Sequence, residues 1–150
     1  MKTKVLIATD LSENSLKAVD YVAEVICCHD SAHITLLHVI REPSPDIMGD
    51  AKDRERYVEN TRADTLRAME EIGGHLAAKG IPEDRIRLKI QVCQRPVGIA
   101  ELILHEQETG GYGTIVVGRR GISKREAFLF GSVSATVVRE ARRCAVWVVP

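Results

Sequence analysis

Two short stretches carry the residue types that could do chemistry. One is Gly118-Arg119-Arg120-Gly121; after nine further residues comes the other, Gly131-Ser132-Val133-Ser134. The first follows the apolar run Thr114 to Val117, and the second precedes a helix-like segment from Val133 to Arg143. Glycines directly after a strand let the backbone turn sharply and approach a ligand with no Cβ in the way. Gly131-Ser132 then opens a helix, where unpaired N–H groups and the positive end of the dipole attract an anion. A strand end, a glycine turn and a helix start in one short stretch point to a phosphate-binding site. Two ordinary turns around a surface loop would use the same glycines, so the rest of the chain has to decide.

Other reactive side chains offer less. Cys27 and Cys28 are adjacent, cannot form a C-x-x-C clamp, and have no downstream partners at zinc-finger spacing; Cys93 and Cys144 stand alone. Reduced, partly buried thiols near a helix end are the expectation for the pair. His29, His33, His38, His75 and His105 show no metal-ligand spacing among themselves. No metal-ligating or catalytic set is expected.

These residues need elements to hold them. Lys4 to Thr9 reads as a first strand ended by Asp10. Asp10 and Ser12 offer caps for a helix on which Leu16, Val19, Val22, Val25 and Ile26 recur at helical spacing. His33 to Ile40 is a strand apolar on both faces, as a buried parallel strand should be. A Pro- and Gly-containing loop over 41–50 leads to a long charged helix over 51–79, with Val58, Leu66, Met69, Ile72 and Leu76 as its apolar stripe and Gly80-Ile81-Pro82 as its stop. The charges at Lys52, Arg54, Glu55, Arg56 and Glu59 read as a solvated face. Ile86 to Val92 alternates as a third strand. Pro96 marks the start of a helix whose inner face is Ile99, Leu102 and Ile103. Thr114 to Val117, Val133 to Arg143 (with Val133 and Val137 facing the core) and Ala145 to Val149 complete the alternation.

The order β-α-β-α-β-α-β-α-β predicts an α/β fold: a single open five-stranded parallel sheet, Rossmann-like, with helices on both faces. In such sheets ligands bind beyond the carboxyl ends of the strands where strand order reverses. With order 3-2-1-4-5 that point lies between strands one and four. Asp10 ends the first and Gly118 follows the second, so two separate features fall at one site.

Composition narrows the classes. At 150 residues, 45% apolar and 28% charged, the chain reads as one ordinary soluble domain, 1–150. Lys plus Arg equal Asp plus Glu at 21 each, so no net field draws it to nucleic acid or a membrane surface. Apolar runs are far shorter than the roughly 20 residues a span requires, and no signal-peptide core is present, so a cytoplasmic location is expected.

With these residues in view, the chain resembles the universal stress proteins, in their ATP-binding subgroup. The resemblance covers all 150 residues, from VLIATDLSENS through LLHVI and VVGRRG to LFGSVS and VWVVP. The family's nucleotide signature is two glycines separated by two residues, nine further residues, then Gly followed by Ser or Thr. Gly118, Gly121, Gly131 and Ser132 match it.

The resemblance implies roles. Ala8, Thr9 and Asp10 end strand one, with Asp10 facing the ribose and adenine side. Val39 reads the adenine edge through its backbone. Val117 and Gly118 flank the ribose and phosphate turn, and Gly121, Gly131, Ser132, Val133 and Ser134 cradle the phosphates. ATP with Mg or Mn is the implied cofactor, and a homodimer joined along 145–149, with Trp147 at or near the interface, is the implied assembly. Departures are Gln94-Arg95-Pro96, where the family often has a small or acidic pair before the proline, and a basic loop containing Arg119, Arg120, Lys124 and Arg125. Those charges read as solvated, with Arg120 the one expected to close on the polyphosphate. Loops 41–52 and 119–130 are the expected mobile parts.

The implied function is nucleotide-dependent regulation. An enzyme, as a slow ATPase or nucleotidyl-transfer relative, is the alternative. It is weakened by the lack of a G-x-x-x-x-G-K-[ST] loop, of a histidine signature after strand one, and of any carboxylate or His between Gly118 and Ser134 except Glu126. A dimeric interaction module without nucleotide is the third reading, and the intact glycine signature opposes it.

Overall fold

The computed structural model describes residues 3–119 and 132–150. The elements are β1 (Lys4–Ala8), α1 (Glu13–Ile26), β2 (His33–Arg41), α2 (Ala51–Ala78), a 3-10 turn (Glu83–Arg85), β3 (Ile86–Cys93), α3 (Ile99–Gly110), β4 (Thr114–Gly118), α4 (Ser132–Glu140) and β5 (Ala145–Val149). All neighbouring strands are parallel, in order β3-β2-β1-β4-β5. The predicted architecture and strand order therefore stand.

The sheet buries both faces. Val5, Ile7, Ile34, Leu36 and Val116 pack against Val19, Val22 and Ile26 of α1 and Met69, Ile72 and Leu76 of α2. Leu6, Leu37, Ile115 and Val117 pack against Ala100 and Ile103 of α3 and Val137 of α4. Strands covered on both sides need apolar residues at consecutive positions, which is why β1, β2 and β4 read as continuous apolar runs. β3 is an edge strand and alternates: Ile86, Leu88 and Ile90 join the α2 side, while Arg87, Lys89 and Gln91 occupy the intervening positions. Among the described residues no helix is long and apolar enough to cross a membrane.

Several expectations are corrected. Leu16, Val25 and Leu66 are 39%, 40% and 41% exposed. The buried stripe of α1 is Ser15, Ala18, Val19, Val22, Ala23 and Ile26, which leaves Leu16 and Val25 on its flanks. On α2 Thr65, not Leu66, faces the sheet. Pro96 does not start α3: Gly98, in an extended conformation, is the N-cap, and Pro96 lies in the preceding turn. α4 ends at Glu140 rather than Arg143, and Arg143 adopts a left-handed φ of 56° that a helix cannot continue through.

Arg54 is not on a solvated face either. It donates to the carbonyls of Met48 (2.7 Å) and Gly49 (2.9 Å) and pairs with Glu42 at 3.4 Å, tying the 42–50 loop to the start of α2. Cys27 and Cys28 are exposed rather than partly buried, because the chain leaves α1 there on the surface.

Candidate functional site at the ends of β1 and β4

The last rung of the β1–β4 ladder pairs Ala8 with Val117, and Ala8 also pairs with Leu37 of β2. Beyond that rung the chain turns from β1 into α1 through Thr9–Ser12. The Thr9 N–H donates to the Leu37 carbonyl at 2.9 Å, and the His38 Nδ1–H donates to the Thr9 carbonyl at 2.8 Å. The buried Thr9 hydroxyl donates to Ser15 Oγ at 2.8 Å and accepts the Leu11 N–H at 3.0 Å. Ser15 Oγ in turn donates to the Ser12 carbonyl at 2.8 Å. Leu11 is left-handed at φ 65°, which costs a non-glycine residue about 1 kcal/mol or more. The Thr9 hydroxyl offsets that by holding the Leu11 amide.

This network orients Asp10. Its Oδ1 accepts the Ser12 N–H at 2.9 Å, an Asx turn that also delivers Ser12 as the α1 cap. Among the described residues Oδ2 accepts no hydrogen bond. Ser12 Oγ accepts the Ser15 N–H at 3.3 Å.

Val39 lies further along β2. In a parallel strand alternate residues turn both backbone groups to the same neighbour. Leu37 presents its carbonyl to Thr9, so Val39, two residues on, faces the same side, past the last rung of β1. Its amide and carbonyl thus border the space beyond Ala8.

On the other side of that space, β4 ends at Gly118. The Arg119 N–H still bonds the Val149 carbonyl at 2.7 Å, and Arg119 is exposed. Ser134 Oγ donates to the Gly118 carbonyl at 2.7 Å, which pins the first turn of α4 to the end of β4. A Cβ on Gly118 would lie 3.7 Å from backbone atoms of Asn14 and Ser15. That is ordinary van der Waals contact, and it shows that the β4 terminus lies directly against the first turn of α1.

The structure thus gathers Ala8, Thr9, Asp10, Val117, Gly118 and Ser134 at the ends of β1 and β4, with Val39 alongside on β2. α4 opens at Ser132, and Val133 packs, half-buried, against the α3–α4 core. Arg120, Gly121 and Gly131 lie outside the described residues. Two residues that sequence reasoning did not assign to the site are His38 and Ser15. Ser15 continues a three-residue spacing of hydroxyls from Thr9 through Ser12, a signal present in the sequence; His38 carries none. Among the described residues no group of three His, Cys, Asp or Glu side chains could hold a metal ion.

Chemically, this arrangement offers backbone donors and acceptors, one carboxylate oxygen and a helix N-terminus. Among the described residues it offers no activated nucleophile.

The model of the universal stress protein family matches residues 1–150. The chain is 30% identical to universal stress protein YxiE of Bacillus subtilis, over 99% of each chain. Universal stress protein UspA of Lactobacillus plantarum is similar in fold, with a TM-score of 0.83, 19% identity, and coverage of 99% of this chain and 98% of that one. A universal stress protein in complex with cAMP gives a TM-score of 0.69 at 20% identity, covering 99% and 96%. The universal stress protein of Archaeoglobus fulgidus in complex with dAMP gives 0.64 at 15% identity, covering both chains fully at 100%.

Proposed function

The chain belongs to the universal stress protein family, and from that premise we propose that it is an ATP-binding regulatory protein. The observation that carries the proposal is the convergence, beyond the Ala8–Val117 rung, of Asp10, the backbone of Val39, Gly118 and the first turn of α4. The adenine lies against the Val39 amide and carbonyl, and the ribose against Ala8, Thr9 and Asp10. The phosphates run over Val117 and Gly118 to the cradle of Gly121, Gly131, Ser132, Val133 and Ser134, with Arg120 as a charge-assisted donor. Thr9 and Ser134 act through the turns they hold, since their hydroxyl protons are committed to Ser15 and Gly118.

Complexes of fold neighbours with cAMP and dAMP support the adenine nucleotide class. A Mg or Mn ion fits the chemistry of the site through Asp10 Oδ2 with phosphate and water oxygens, since such ions need only one or two protein carboxylates. The site residues bind and orient a nucleotide, and none of those described is a poised base, so on this reading occupancy is the signal and hydrolysis is slow. The same reading makes the protein a cytoplasmic homodimer joined through β5.

The test is ATP titration by calorimetry with and without magnesium, on wild type and Gly131→Val. Saturable binding that the valine abolishes supports the proposal. Its absence from folded, nucleotide-free wild type moves the protein to the interaction-module class, and turnover well above about one per second makes it an enzyme.

A further inference from the structure

A second cavity, of about 530 Å³, lies at the opposite end of the sheet, among the amino-terminal ends of β1, β2 and β3 and the carboxyl-terminal end of α3. Its origin is the alternation of β3. The Arg87, Lys89 and Gln91 positions belong to the sheet face that α3 covers over β1, β2 and β4, but the helix leaves the start of the edge strand open.

The floor of the cavity is a closed polar network. Glu106 of α3 is buried, and its Oε2 accepts from Lys89 Nζ at 2.6 Å and from Gln91 Nε2 at 2.9 Å. Its Oε1 lies 3.3 Å from the Tyr112 hydroxyl, which is itself 3.0 Å from Thr35 Oγ1. Lys4 Nζ donates to the Gly110 carbonyl at 2.9 Å, at the negative end of the α3 dipole.

Glu106 and Lys89 therefore cancel each other, and the charge left on the lining is Lys4, Arg85 and Arg87 against Asp84, with His33 beside them. Among the described residues neither Arg85 nor Arg87 has a carboxylate within ion-pair distance. Two unmatched guanidiniums on the wall of a concave polar site, with their forked donors, fit a phosphate or carboxylate group.

We infer that this cavity binds a small, multiply charged anion, separately from the nucleotide cleft and independently of whether ATP occupies that cleft. Arg85 and Arg87 hold the anion, and the Glu106–Lys89–Tyr112 network fixes the floor.

The experiment is a ¹H–¹⁵N correlation spectrum of the full chain at low ionic strength, titrated with inorganic pyrophosphate and, separately, with citrate. Saturable shifts centred on Lys4 and Arg85–Lys89 are expected. They should weaken about tenfold in Arg85→Gln/Arg87→Gln, the loss of two charge-assisted contacts. Arg87→Gln alone, at an exposed position, should give a smaller loss and serves if the double variant is misfolded. ATP affinity should be unchanged in both. A response to pyrophosphate alone assigns phosphate chemistry, and one to citrate alone a polycarboxylate. No saturable shift with either anion, shifts confined to residues 118–134, or shifts indifferent to the arginines overturn the inference.

Discussion

The imidazole of His38 donates its Nδ1–H to the carbonyl of Thr9 at 2.8 Å, one residue past the last rung that joins β1 to β2. It prolongs the pairing of the two strands with a side chain where the ladder has ended. Both backbone groups of Thr9 are thereby fixed to β2, and Asp10 follows from a rigid point.

His38→Ala should therefore act at a distance. Removing one hydrogen bond of this kind costs about 1 kcal/mol. Loosening the approach to Asp10 should weaken ATP binding about three- to tenfold. Thermal melts and calorimetry on the same samples check it; unchanged affinity alongside the stability loss would show that Asp10 does not depend on this anchor.

A pH effect is expected where α1 meets α2. Asp20 Oδ1 lies 2.5 Å from His75 Nε2 and 3.1 Å from Lys79 Nζ. The hydrogen bond from His75, aided by Lys79 and opposed by partial burial, holds its carboxyl below the usual range. A depressed folded-state value means the stabilisation is present above the ordinary carboxylate value near 3.8 and disappears as pH falls through the folded one. Both partners are about half exposed, so the effect is small: Asp20→Asn should be less stable at neutral pH by at most about 1 kcal/mol. Denaturant melts across pH should show the two proteins converging in acid.

How much of this could be read from the sequence depended on the range of the cause. The runs VLIA, ITLLHVI and TIVV mark doubly covered strands, the spacing of Val19, Val22 and Ile26 marks the inner face of α1, and Ser12 marks its cap. These are local signals. Pro96 misled because proline at a helix start is only a local preference, and the extended Gly98 supplies the cap instead. The anchors of the site are long-range: His38 meets Thr9 across 29 residues of chain, and Arg54 ties down the 42–50 loop through carbonyls that no side-chain pattern reveals. The second cavity exists because α3 leaves the start of β3 uncovered, a property of helix placement and not of either segment alone.

Gly110 offers a stability test beside that cavity. A Cβ there would fall 2.2 Å from a ring carbon of Tyr112. The ring is buried and its hydroxyl is committed to Thr35 and Glu106, so it cannot swing away freely. Gly110→Ala should destabilise by about 1–3 kcal/mol despite alanine's better helix propensity. Gly74→Ala on α2, where a Cβ meets nothing within 4 Å, should be neutral or stabilising. Paired chemical melts of the two variants check the contrast.

β5 pairs with β4 on one side, and Val146, Trp147, Val148 and Val149 are half-buried within the chain. Trp147 does not stand free: it meets the Tyr21 ring edge-on, with centroids 5.9 Å apart and planes at 77°. That contact steadies β5 from the α1 side, while among the described residues no strand pairs with its outer edge, the feature through which sheets join other chains. If two copies join there, a cation at Val148 should separate them; because Val148 also packs against the core between the sheet and α3 and α4, each fold should lose some stability while β5 keeps its pairing with β4. Sedimentation of wild type at micromolar concentration should give a dimer, and Val148→Lys a folded monomer. A wild-type monomer would end the proposal. A Val148→Lys dimer would move the interface to another surface, with the exposed Leu16, Tyr21 and Val25 of α1 the next place to substitute.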